Sequence, residues 1–144
     1  MTTIATATFV REAIPTLHIH GSTLVYTDDT TVTLEKANPQ GINPTILLMN
    51  LNVVEGTGPR KGVMKPFSFH VTGEEALQYL QVQIVINDSV PDLLINVRDT
   101  CVGDLVGRPF RTYVTGDIIT EDYVVDRVNI ETDKAGTIVS VWFG

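Results

Sequence analysis

His18 and His20 stand two residues apart in a run, 16–20, that reads as a strand, so both rings project from one face. Two imidazoles so placed suit a metal such as zinc, which wants three or four ligands. No Glu or further His follows at short distance, and the remaining histidine, His70, falls in a separate run. The expectation is a pair of surface or half-buried histidines with no metal and no cofactor. Cys101 is a lone thiol close to Arg98 and Asp99. A reactive thiol needs an electropositive, partly exposed setting, and no partner base is near in sequence, so packing is its default role. No Gly-rich phosphate loop, nucleophile elbow or H-E-x-x-H pair is present, and the chain is not expected to be an enzyme.

Glu121 and Asp122 lie in the middle of an extended stretch, residues 117–123, and Arg127 follows a few residues on to meet their charge. In an ordinary hairpin these charges form a solvated cluster contributing about 0–1 kcal/mol per pair. Positive charge gathers in residues 55–65 at Arg60, Lys61 and Lys65, a small group that reads as a solvated turn or as a contact for the acidic loop of a second copy. Tyr26 and Tyr113 lie beside polar residues and could stack on a sugar.

The elements that must position these groups are strands. Short alternating or β-branched runs cover residues 3–10, 16–20, 23–27, 31–35, 45–54, 67–71, 81–86 and 93–97, separated by turn residues. Residues 46–49 are apolar at every position, as in a strand buried on both faces. Residues 73–80 alone look helical, with Glu74 and Glu75 in the first turn, and so short a helix depends on tertiary packing. An all-β fold with minor α content follows: a sandwich or barrel-like body over residues 1–98, then an extended loop and β-hairpin in residues 99–144, packed on the body as one unit.

The chain has 144 residues, ordinary for one domain. It is 43% hydrophobic and 19% charged, which allows a core and argues against disorder. A formal net charge of −7 would be repelled by nucleic acid and anionic membranes, so neither is an expected partner. One cysteine cannot close an internal disulfide. The opening residues, MTTIATATFVREAIPT, lack a basic start and an apolar run, and no apolar stretch approaches about 18 residues. A cytoplasmic location is the expectation.

The segment from Val114 to Gly144 carries a resemblance. It reads V-x-G-x-I-I-T-x-D-Y-x-x-D-R-V, then an alternating strand over 124–132, a turn at Asp133, Lys134, Ala135 and Gly136, and a closing strand over 137–143. This order is similar to the potato type I inhibitors of serine proteases. Asp126-Arg127-Val128-Asn129-Ile130 is closer still to a related group of small fungal and bacterial elastase-type inhibitors. Upstream, Leu105-Val106-Gly107 resembles the turn that opens such domains.

The resemblance implies a stoichiometric inhibitor with a reactive loop of Ile119, Thr120, Glu121, Asp122 and Tyr123, the substrate-like bond lying between Glu121 and Asp122. Arg127 would brace that loop from below, and Asn129 would add a weaker neutral bond. The implied partner is a serine protease, glutamate-specific or subtilisin-like. An ionised Glu121 would be costly to bury in an apolar specificity pocket, which favours the glutamate-specific enzyme. The family places a helix and a strand between the positions of Gly107 and Val114, where this chain has only a few residues. Either residues 1–98 supply the hairpin's support, or the loop is not held rigid and inhibition is lost. The competing class is a non-catalytic β-sandwich binding or assembly module, lectin-like or structural, and either reading leaves room for an oligomer.

Overall fold

The structure, a computed structural model, describes residues 3–11, 14–87, 89–100, 105–120 and 122–144. Ten strands follow in order: β1 Thr3–Val10, β2 Thr16–Val25, β3 Thr31–Lys36, β4 Ile46–Val54, β5 Val63–Thr72, β6 Gln81–Ile86, β7 Ser89–Thr100, β8 Phe110–Val114, β9 Val128–Thr132 and β10 Ile138–Phe143. The first seven form one sheet in the order β3-β4-β6-β7-β1-β2-β5. Its two edge strands, β3 and β5, approach each other, so the sheet nearly closes into a barrel. The last three form a small sheet, β10-β9-β8. Among the described residues no helix is long and apolar enough to cross a membrane.

Strand alternation builds the barrel. Leu17 and Ile19 of β2, Leu47, Met49 and Leu51 of β4, and Val82 and Ile84 of β6 point inward and are fully buried. Each such side chain contributes about 1.5–3 kcal/mol through apolar burial. On β4 the intervening Ile46, Leu48 and Asn50 are half-buried, so this strand is covered completely on one face and partly on the other.

The turn expected between residues 20 and 23 does not exist. β2 runs straight through Gly21, which pairs with Ala5 on one side and Phe67 on the other. A Cβ at Gly21 would sit 2.4 Å from the Ile4 carbonyl oxygen and 2.4 Å from the Phe67 ring. The glycine therefore marks a close approach inside a strand.

The helix expected over residues 73–80 is also absent. Glu74–Gln78 make a single 3-10 turn, and Tyr79 is already extended. Ala76 and Tyr79 are anchored in the core, and tertiary packing overrides a helix too short to sustain itself.

β7 continues past residue 98, and Arg98, Asp99 and Thr100 pair in parallel with Thr8, Phe9 and Val10 of β1. Cys101 lies outside the described residues. β8, not among the expected strands, pairs with β9 in parallel from Phe110 opposite Val128 to Val114 opposite Thr132. Residues 115–127 therefore carry the chain back along the sheet, because parallel neighbours require a crossover. The strand expected from residue 124 begins only at Val128, after a turn in which the Arg127 amide donates to the Val124 carbonyl at 3.0 Å.

The β9–β10 hairpin closes where expected. The Asp133 carboxylate accepts from the Ala135 and Thr137 amides, both at 2.9 Å, and Gly136 takes a φ of 84°. One face of the small sheet rests on the outside of β1 and β2 through β10. The Arg98 guanidinium of β7 lies 4.0 Å over the Phe143 ring, a second tie between sheet and barrel.

Candidate functional site

Residues 117–120 and 122–124 belong to no strand, and Ile118 is fully exposed. This stretch is held by two arginines, Arg111 of β8 and Arg127 just before β9. Arg127 donates through Nη1 to Asp122 Oδ2 at 2.9 Å, through Nη2 to the Asp122 carbonyl at 2.8 Å, and through Nε to the main-chain oxygen of Gly144 at 3.0 Å. Its side chain is only 12% exposed, so the guanidinium acts from under the loop. Arg111 of β8 donates through Nη1 to the carbonyl and the hydroxyl of Thr120, each at 3.1 Å, and stands 3.6 Å from Asp122 Oδ1.

Asn129, completely buried, joins the two arginines. It accepts from Arg111 Nε at 2.8 Å and donates to the Gly144 oxygen at 2.9 Å. The Thr120 hydroxyl donates to Asp122 Oδ1. That bond first, and the Arg127 guanidinium second, hold the Asp122 carboxyl below the usual carboxylate range. Charge-assisted bonds of this kind are shorter and about twice as strong as neutral ones.

The structure thus brings together Thr120, Asp122, Arg127 and Asn129 from the expected set. Ile119 and Tyr123 flank them, with Tyr123 lying against Gly144. Glu121 lies outside the described residues. Sequence reasoning missed Arg111. Its signal was the alternation of Phe110-Arg111-Thr112-Tyr113-Val114, but only the parallel register that sets Arg111 opposite Asn129 gives it a role.

Behind the loop lies a second constellation. β2 and β5 pair so that His18 and His70 are direct neighbours. Their Nδ1 atoms are 2.8 Å apart, and one ring nitrogen from each of His18, His20 and His70 lies within 4.8 Å of the other two. Ser140 of β10 places its hydroxyl 2.8 Å from His20 Nε2 and 3.1 Å from His18 Nδ1. Trp142 stacks on His20 with centroids 4.6 Å apart.

Burial lowers the pKa of His18 to about 4 and that of His20 to about 3, assisted by the neighbouring rings. His70, on the open side, is shifted down by partial burial against the upward pull of Glu131. All three imidazoles are therefore neutral near pH 7, the form that binds metals. The expectation of a surface or half-buried histidine pair is corrected in two respects: His18 and His20 are buried, and strand pairing brings His70 to them.

Between loop, small sheet and barrel lies a cleft of about 570 Å³. Arg111, Tyr113, Asp117, Glu131 and Trp142 line it from the small-sheet side, and His20, Ser22 and Ser68 from the barrel. The Trp142 Nε1 donates to the Tyr113 hydroxyl at 3.0 Å, which fixes both rings. The molecule belongs to the class of nearly closed β-barrels, here carrying an arginine-braced loop on an accessory sheet. No family model matches the chain, and searches of curated proteins and of solved structures return no match.

Proposed function

We propose that the protein is a stoichiometric serine-protease inhibitor that presents residues 119–123 as a substrate-like loop. The observation that carries the reading is the Arg127 guanidinium, which bonds both the side chain and the main-chain carbonyl of Asp122 while anchored to Gly144. A loop held in place before docking loses little entropy on binding, where each side chain newly immobilised costs about 0.5–1.5 kcal/mol. The two arginines also hold the described residues Thr120 and Asp122, which flank Glu121 in sequence. Arg111 grips Thr120 on the acyl side of the substrate-like bond and Arg127 grips Asp122 on its amine side. After cleavage the new amine would remain beside the acyl group, so resynthesis competes with release. The barrel face formed by His18 and His20 supports the sheet where the related inhibitors use a helix.

The test is a panel containing a glutamyl endopeptidase and a subtilisin. The wild type is expected to inhibit the glutamyl enzyme at a one-to-one ratio, and Glu121→Ala to abolish this. Arg127→Ala should convert the inhibitor into a substrate that is cut and released. Inhibition of no member at micromolar protein would overturn the proposal.

The cleft favours a second reading, a binding module for a small polar ligand seated in the cleft that Tyr113 and Trp142 help to line. A hit on a glycan array, without protease binding, would select it. Tyr26 is less suited to that task because Arg60 covers its ring at 4.8 Å.

A further inference from the structure

We propose that His18, His20 and His70 form a binding site for a divalent first-row transition ion, Zn2+ foremost, clasped where the small sheet meets the barrel. Three neutral imidazoles converging from two paired strands match the softness and charge of such ions.

The hydrogen-bond inventory admits the same reading. His18 Nδ1 lies within bonding distance of both His70 Nδ1 and the Ser140 hydroxyl, and that hydroxyl also meets His20 Nε2. A neutral imidazole has either a proton or a lone pair at a given nitrogen, and Ser140 has one proton to give. These groups can be satisfied by protons alone, with His70 donating to His18 and Ser140 to His20, and the same convergence of three ring nitrogens and a hydroxyl oxygen is one that a cation at their centre would also satisfy.

The distances require adjustment in both directions. Two nitrogens at about 2.0–2.1 Å from a tetrahedral zinc stand about 3.4 Å apart, so an ion would widen the 2.8 Å separation of His18 and His70 and draw together ring nitrogens that now stand up to 4.8 Å apart. His70 is exposed and can move, and its side of the cluster gives an ion its way in. On the other side the Trp142 ring fixes His20 in orientation. Glu131, whose charge reaches His70, adds a favourable field for a cation, as does the overall charge of −7. Glu131 is itself held by Thr115 at 2.7 Å and is not assigned as a ligand. The fourth position falls to the Ser140 hydroxyl or to water.

The test needs no protease, so its outcome is separate from that of the inhibitor reading. The full chain, stripped with a chelator and dialysed, is titrated with Co2+ as a visible probe and then with Zn2+ as competitor. The expected result is one equivalent bound, with the visible bands of four-coordinate cobalt lost on zinc addition. The melting temperature should rise by about 5 °C or more when zinc stands a hundredfold above its dissociation constant. His70→Gln is the decisive variant because His70 is exposed: the metal-free fold should melt within about 2 °C of wild type while zinc affinity falls by on the order of a hundredfold. Absence of binding at about 100 µM metal overturns the proposal. So does His70→Gln binding as tightly as the wild type.

Discussion

The barrel and the small sheet solve the same problem, fixing a chain in space, by different physics. The barrel is fixed by apolar burial: Leu17, Ile19, Leu47, Met49, Leu51, Val82 and Ile84 exclude water completely and form no directional bond with their side chains. The small sheet is too small for such a core, with Val128 and Phe143 its buried apolar members. It is fixed instead by directed polar contacts, through Arg111, Arg127 and Asn129 on one side and Ser140 against the histidines on the other. Non-directional burial tolerates change of shape but not of volume. Directed bonds tolerate neither loss of a donor nor loss of charge, and they give the loop one conformation where apolar packing would allow several.

The largest expected effect breaks the barrel. Leu47→Ala should lower global stability by about 2–5 kcal/mol, read as a shift of the urea midpoint, because a buried cavity replaces the side chain. Arg127→Ala should act locally. Urea stability falls less than in the core variant, while cleavage within residues 117–124 by a nonspecific protease accelerates on the order of tenfold. An equal fall in both measurements would erase the contrast between the two regions.

Acid should act on the contact between them. His18 and His20 have folded pKa values, about 4 and about 3, below their ordinary value of 6.5. The unfolded chain therefore binds more protons in that interval, and stability falls as pH drops from 6.5 toward 3. Urea midpoints of the chelated protein at pH 7.5, 5.5 and 4.5 measure this, and a flat profile would refute the buried neutral network. The smallest effect belongs to Arg60→Ala. Its guanidinium lies over Tyr26 in a solvent-exposed loop, so melting should shift by no more than about 2 °C.

What the sequence disclosed follows the range of the forces involved. β1 and β6 are legible to the residue, and β3 and β10 nearly so, because alternation is a property of neighbouring residues. Gly21 misled because a glycine that permits a turn and one that admits Phe67 look alike in one dimension. Residues 74–78 misled because helical propensity is local, whereas Ala76 and Tyr79 answer to the core. Within the loop, the bracing role of Arg127 was implied by the resemblance alone, and Asn129, expected to bond the loop, instead meets Arg111 and the Gly144 oxygen.

The sequence alone determined a β-rich, acidic chain with a charged loop feeding a hairpin, since composition, alternation and turn chemistry are written in adjacent residues. Only the tertiary structure decided that Arg111 would join Arg127 beneath Thr120 and Asp122, and that His70 would meet His18 and His20. Both depend on which strands pair and in what register. That choice is made by minimising exposed apolar surface over the whole barrel, and no short window of residues contains it.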